Sequence, residues 1–355
     1  MSRREEEAPM RSAADAANGA RAPRLLYLNK TAVVQAGGED SRLYVAAVAD
    51  ALALHARGQF AQPLKPYLRW RPDGHIADRI IAMPAYLGGL RPVAGLKWVG
   101  SKHDNPARLG LERASALIIL NDPETHYPVA VMEASLISGM RTAAVTTVAA
   151  RYLARDGFAS VACIGCGPIG RMQLATLLEH FPAVHTIRLF DVRRAAAERM
   201  ARELAGRFDD RRYDIAESAE EAVRAAEVVV TCTVTDRPYL PFDWIAPGAF
   251  VSNISIMDLH KDVFLNVDKV VVDDWDQSNR EGKVLHQLVE EGRFSRKDLH
   301  AELGQIVIGA RPGRETDNEI IVLNPMGMAI EDVACAQAVY LRALEGGIGR
   351  WLSLG

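Results

Sequence analysis

The run Ser160-Val161-Ala162-Cys163-Ile164 leads straight into Gly165-Cys166-Gly167-Pro168-Ile169-Gly170, and Arg171 to Leu178 continues as the start of a helix. A short apolar β-prone stretch, a Gly-x-Gly-x-x-Gly turn and a helix in immediate succession leave little freedom to the local fold. The first glycine makes the tight turn, the second lets backbone approach a pyrophosphate, and the third lets helix and strand pack closely. The phosphates then face the free N–H groups and the positive dipole end of the helix. Thr186-Ile187-Arg188-Leu189-Phe190-Asp191 predicts a second strand, ending in a carboxylate about 20 residues beyond Gly170, where an adenosine ribose is held. Cofactor contacts are therefore expected at Gly165, Gly167, Pro168, Ile169, Gly170 and Asp191. Asp191 would repel a ribose 2′-phosphate, which favours NAD over NADP. Arg193 and Arg194 stand where an arginine could hold that phosphate, so residues alone leave the choice open.

Strands near 161–165, 186–191, 212–216, 227–233, 249–255 and 269–273 alternate with helices, the pattern of a Rossmann-type doubly wound parallel sheet. Ahead of it the pattern differs. Leu25–Leu28 predicts a strand, and Ser41 to Arg57 an amphipathic helix with Ser41 as cap and Gly58 as stop. Tyr67–Trp70, Ile76–Met83, Ala94–Val99 and Ala116–Leu120 then follow as consecutive strands, which predicts an antiparallel or mixed sheet. Val131 to Ala154 predicts a long bridging helix rich in small residues. Asp317 to Leu323 predicts a strand and Pro325 to Leu344 a helix stopped by Gly346-Gly347, both expected to return to the first domain. The expected organisation is α/β: a disordered extension over 1–23, a discontinuous α+β domain over 24–143 and 316–355, and the dinucleotide-binding domain over 144–315.

Across 355 residues, 49% are hydrophobic and 25% charged, with a net charge of -3, which gives no electrostatic reason to expect nucleic acid or an anionic membrane. No apolar run is long enough to span a bilayer and no signal-peptide pattern opens the chain, so the expected location is the cytoplasm. Cys163 and Cys166 form a C-x-x-C, but it runs from strand into glycine loop without a second pair, and buried structural thiols are expected. His300 and Glu302 lack a third ligand, and no metal is expected.

Cations in apolar or turn-dense stretches carry the remaining information. Lys97 lies inside a predicted strand, and Arg141 inside a helix otherwise made of small residues. A buried cation must be paired, solvated or functional. Lys97 fits a solvated sheet face or a site, and Arg141 a structural anchor at the domain boundary or a site. Lys65 and Arg79 fit the surface or the same site. Asp258 follows the fifth nucleotide-domain strand, either near the reactive end of the cofactor or as a cap on the next helix.

Gly95-Leu96-Lys97-Trp98-Val99, Met140-Arg141-Thr142-Ala143-Ala144, Ile164-Gly165-Cys166-Gly167, Ala301-Glu302-Leu303-Gly304 and Gly327-Met328-Ala329-Ile330-Glu331-Asp332 together resemble the ornithine cyclodeaminase/μ-crystallin family, in the family's order and from Leu25 onward. The resemblance implies NAD-dependent chemistry on an amino acid and a homodimer built through the non-nucleotide domain, which would then also bind substrate. It implies that Lys97 is catalytic or substrate-binding, that Arg141 lies near substrate carboxylate and cofactor, and that Asp258 is the acid/base carboxylate. Lys65 and Arg79 would bind substrate, while Thr233, Ser255 and Lys261 would contact the cofactor. Pro325 replaces a family serine, so that cofactor contact is not expected.

Four further stretches resemble a branch of the family that oxidises a secondary amine and releases 2-oxoglutarate and L-2,3-diaminopropionate for a siderophore. They are Gln62 to Arg69, Trp98 to Pro106, Asn253 to Asp258 and Leu323 to Ala329. A substrate with several carboxylates agrees with the four cations Lys65, Arg79, Lys97 and Arg141. The alternatives are ornithine cyclodeaminase or alanine dehydrogenase chemistry on a smaller amino acid, and a non-catalytic NAD(P)H-binding carrier.

Overall fold

The computed structural model describes residues 23–71, 74–75, 77–255 and 257–355. Residues 1–22 of the expected extension, and Ile76 at the start of one expected strand, lie outside the described residues. Two eight-stranded sheets organise the chain. In the first, Arg350–Ser353, Arg24–Leu28, Pro128–Glu133, Ala114–Asn121, Val93–Ser101, Arg79–Leu87 and Phe60–Ala61 lie side by side, and Tyr67–Leu68 also pairs with Arg79–Leu87. Arg24–Leu28 and Pro128–Glu133 run parallel and all other pairs antiparallel, so the sheet is mixed.

Strand alternation gives this sheet two unlike faces. The row Met83, Lys97, Ile118, Met132 and Leu28 points inward, under the helix Ala329–Glu345, which packs on the helix Ser41–Ala56. The adjacent row, Pro84, Leu96, Ile119, Val131 and Tyr27, points the other way and is only partly covered. Trp98 and Leu117 beside it are exposed, so the outer face is apolar as well.

The second sheet is wholly parallel, in the order Arg212–Ile215, Thr186–Phe190, Ser160–Ile164, Val228–Thr231, Phe250–Asn253, Ile321–Leu323, Lys269–Val272 and Ala301–Glu302. Chain direction around the sheet reverses between Ser160–Ile164 and Val228–Thr231, which opens a ligand crevice at their carboxyl ends. This is the Rossmann-type arrangement. Ile321–Leu323 departs from expectation: it does not return to the first sheet but inserts between Phe250–Asn253 and Lys269–Val272. All three of its residues are buried, as an interior strand of a parallel sheet covered on both faces requires.

Three boundaries also move. Pro128–Glu133 is a strand with alternating burial, and the bridging helix starts only at Ser135 and runs to Leu153. The helix Ser41–Ala56 is capped by Asp40, which accepts from the Arg42 N–H, while Ser41 bonds His180. The last helix begins at Ala329, because Met326 and Gly327 donate their backbone N–H groups to Asp273 and Gly327, at φ +72°, turns the chain ahead of it.

Ser135–Leu153 is the structural bridge between the sheets. Gly139 lets it lie against the helix Pro168–His180, where a Cβ would stand 2.3 Å from Met172 Sδ. Gln173 of that helix donates to the Thr142 carbonyl at 3.1 Å, and Thr146 bonds Ser252 of the second sheet at 2.8 Å. No helix among the described residues is long and apolar enough to cross a membrane.

Candidate active site

The glycine loop has the shape its sequence predicts. Gly165 has φ +96°, and a Cβ there would meet the Cys232 carbonyl at 2.8 Å and the Thr233 nitrogen at 3.0 Å. At Gly170 a Cβ would stand 2.4 Å from the Gly165 oxygen, whereas at Gly167 it would meet nothing within 4 Å. Two glycines therefore serve internal packing, and the middle one faces open space. Gly167 caps the helix Pro168–His180 without a side-chain bond, leaving first-turn amides to a ligand. These residues fit a dinucleotide pyrophosphate.

Asp191 is held in place by its own turn, Oδ2 accepting from the Cys166 N–H and Oδ1 from the Arg193 N–H, both at 2.9 Å. Arg194 is engaged by Glu217 at 2.7 Å and Glu198 at 3.2 Å, and the Arg193 side chain is exposed. Cys163 and Cys166 are buried free thiols, and burial pushes the Cys166 thiol up.

Thr233 and Asp258 stand just beyond the carboxyl ends of Val228–Thr231 and Phe250–Asn253, beside the glycine loop. Asp258 is fully buried, accepts a hydrogen bond from the Thr233 hydroxyl and lies 3.5 Å from the Thr233 nitrogen. Burial raises its carboxyl above the usual range, against the pull of those donors. The capping alternative fails, since the helix Lys261–Asn266 is preceded by His260 at its cap. Ser255 lies in the same connection. Lys261, in contrast, pairs with Glu291 at the surface.

A second constellation forms where the last helix meets the first sheet. Lys97 is 1% exposed, with Nζ 2.7 Å from Asp332 Oδ2 and 3.1 Å from Ser138 Oγ. The solvated-face account of Lys97 is therefore excluded. Arg141 donates through Nε to Asp332 Oδ1 at 3.0 Å and through NH1 to Glu331 Oε2 at 2.9 Å. Lys65 is buried too, its ammonium held by the carbonyls of Met326 at 2.9 Å and Gly327 at 2.7 Å. Gly327 is obligatory, because a Cβ there would lie 2.3 Å from Arg141 NH1.

Burial pushes both the Lys65 and Lys97 ammoniums down to about 8, and pushes the Glu331 carboxyl up to about 7. Burial also opposes the Arg141 charge, but Asp332 and Glu331 outweigh it and keep the guanidinium cationic. The site can thus present cations to an anionic ligand, and its grip weakens as pH rises past about 8. Arg79 lies over the Tyr67 ring at 5.7 Å.

The structure therefore brings Lys65, Lys97 and Arg141 together, and separately joins the glycine loop to Thr233 and Asp258. Sequence reasoning missed the anions, namely Asp332, Glu331 and Asp273. The pair Glu331-Asp332 inside an otherwise apolar helix start was the available signal, since adjacent buried carboxylates demand cations. His300 and Glu302 form no ligand pair: His300 bonds the Pro312 carbonyl, and Glu302 receives the Trp275 N–H and Arg296.

The model of the ornithine cyclodeaminase/mu-crystallin family matches residues 32–347. The chain belongs to that family. N-((2S)-2-amino-2-carboxyethyl)-L-glutamate dehydrogenase of Staphylococcus aureus is 56% identical over 331 residues, covering 93% of this chain and 98% of the relative. An archaeal alanine dehydrogenase dimer, solved with NAD bound, superposes with a TM-score of 0.84 at 32% identity, covering 94% of this chain and all of the other. The Thermococcus litoralis Δ1-pyrroline-2-carboxylate reductase, solved with NADH and L-proline, gives 0.86 at 28% identity over 92% and 99% of the two chains. Asp332 bonds two buried cations, Lys97 and Arg141. Asp332→Asn is expected to lower the unfolding free energy by about 3 kcal/mol, read from denaturant midpoints.

Proposed function

We propose that this chain oxidises N-(2-amino-2-carboxyethyl)-L-glutamate with NAD and hydrolyses the product to 2-oxoglutarate and L-2,3-diaminopropionate, in the cytoplasm and for siderophore assembly. The observation that carries the reading is the 56% identity, nearly end to end, with a dehydrogenase of that substrate. The buried cations Lys65, Lys97 and Arg141 support it, because a substrate with several carboxylates needs such partners. Four free thiols suit a reducing compartment.

Bound NAD supplies the hydride acceptor for the substrate's amine-bearing carbon. Gly165, Gly167, Pro168, Ile169 and Gly170 seat its phosphates, Asp191 its ribose, and Thr233, Ser255 and Arg141 line its reactive end. Lys261 would reach it after parting from Glu291. Lys65, Arg79, Lys97 and Arg141 fix the carboxylates so that the glutamate Cα–H faces the acceptor. Loss of hydride leaves a C=N bond. Water attacks that carbon while Asp258 takes its proton. The same carboxyl then protonates the departing nitrogen as the C–N bond breaks and recovers the hydroxyl proton as the C=O bond forms, and Lys97 shares these transfers. The raised carboxyl of Asp258 suits a group that both accepts and returns a proton.

The partly covered apolar outer row of the first sheet, with Trp98 and Leu117, supports a homodimer through that face.

Three outcomes test these readings. With NAD, only N-(2-amino-2-carboxyethyl)-L-glutamate should give both NADH absorbance and 2-oxoglutarate; proline and ammonia from ornithine without net NADH would place the chain among the cyclodeaminases, and NADH with pyruvate from alanine among the alanine dehydrogenases. Asp258→Asn should lower turnover at least about a hundredfold while NADH titration by fluorescence changes little, and retained turnover would remove Asp258 from the mechanism. Trp98→Glu should convert a dimer into a monomer in sedimentation, and an unchanged mass would place the interface elsewhere.

A further inference from the structure

The fold gathers cations that the hydride and proton transfers do not require. The Tyr67 ring is faced by Arg69 at 4.9 Å, Arg280 at 5.6 Å and Arg79 at 5.7 Å. Tyr67, Arg69 and Arg79 belong to the edge of the first sheet, whereas Arg280 follows the helix Trp275–Ser278 of the second sheet's side. Glu281 bridges the two sides, 2.6 Å from Arg69 NH1 and 3.6 Å from Arg280 NH2. It does so with φ +68°, followed by Gly282 at φ +65°, a costly backbone for a non-glycine residue that turns the segment back toward Tyr67.

Lys283 is next, and its ammonium rests against Met326 Sδ. Met326 is also the residue whose carbonyl holds Lys65, at 2.9 Å. The cations around Tyr67 are thereby continuous with the site through Lys283, Met326 and Lys65. Lys283 feels burial first, then the charges of Lys65 and Arg79, and these push its ammonium well below its usual range; Asp273 and Glu281 are the carboxylates that act against them. Asp273 already receives the Met326 and Gly327 N–H groups, and Glu281 already pairs with Arg69. A thioether is a weak acceptor and does not neutralise an ammonium.

We infer that Lys283, with Arg280 and Arg69, forms a second anion subsite where the Tyr67 edge of the first sheet meets the turn after Trp275–Ser278, which takes the substrate carboxylate remote from the reacting carbon and so selects a multiply carboxylated amine over a small amino acid. The inference rests on the proposed reaction for the identity of that carboxylate. The glutamate half and the diaminopropionate half each carry one, and the shared chemistry is a carboxylate held by Lys283.

The test is calorimetric binding to the NADH-loaded enzyme, using 2-oxoglutarate, L-2,3-diaminopropionate and pyruvate as separate probes, for the wild-type chain and for Lys283→Met and Lys283→Arg. Lys283→Met should weaken either 2-oxoglutarate or diaminopropionate about tenfold, the affected probe naming the half bound; pyruvate should not change, and Lys283→Arg should recover most of the loss. Equal weakening of all three probes, or no change in any, would overturn the subsite. An unfolding midpoint within a few degrees of wild type confirms that Lys283→Met folds. Binding is read without turnover, so failure of the proposed reaction in the NADH assay leaves this result interpretable.

Discussion

Asp332 joins what would otherwise be incompatible. Its two oxygens hold Lys97 from the centre of an apolar cross-strand row and Arg141 from the middle of a helix of small residues, with the carboxylate itself fully buried. Moving such charges out of water costs several kcal/mol each, and only close pairing offsets it. The arrangement is therefore a constraint on the whole molecule: the first sheet, the bridging helix and the last helix must meet within hydrogen-bond distance at one residue. A core built from hydrocarbon alone would be easier to stabilise, so the stability of this junction depends on the pairing being complete.

The bridging helix transmits that constraint to the nucleotide-binding half. Arg141 is one residue from Thr142, whose carbonyl receives Gln173 from the helix that starts at the glycine loop. The loop in turn is pressed against Cys232 and Thr233, and Thr233 bonds Asp258. The cations proposed to hold the substrate and the carboxylate proposed as acid/base are thus carried by elements that share contacts, although Asp258 has no hydrogen bond to Lys65, Lys97 or Arg141.

Local signals were readable and distant ones were not. The strand, glycine turn and helix around Gly165 are adjacent in sequence, so residue types and spacing determine them directly. The partner of Lys97 lies 235 residues away and that of Arg141 lies 191 away, a distance at which a single chain carries no periodicity to connect them. Lys283 and Arg280 sit in a polar turn that looks like any solvated loop until the fold sets them against Met326 and Tyr67. The expected helix from Val131 takes in the second half of the strand Pro128–Glu133 because the apolar residues there continue those of the helix, and short edge strands such as Phe60–Ala61 and Arg350–Ser353 are too brief to show a period. The resemblance to a family supplied the roles of Lys97, Arg141 and Asp258, which the residues alone left open.

Ile321–Leu323 in the interior of the second sheet has a consequence for how the molecule is made. Lys269–Val272 pairs with Ala301–Glu302 on one side and with this late strand on the other, so the parallel sheet stays divided until residue 323 is available. The first sheet waits equally, since Arg24–Leu28 receives its outer partner from Arg350–Ser353. Neither sheet can close until residues beyond 320 have emerged from a ribosome. Long-range parallel pairing of this kind is slow and exposes unpaired strand edges meanwhile. The interleaving that ties both sheets to late strands therefore makes the completion of each a late event in folding.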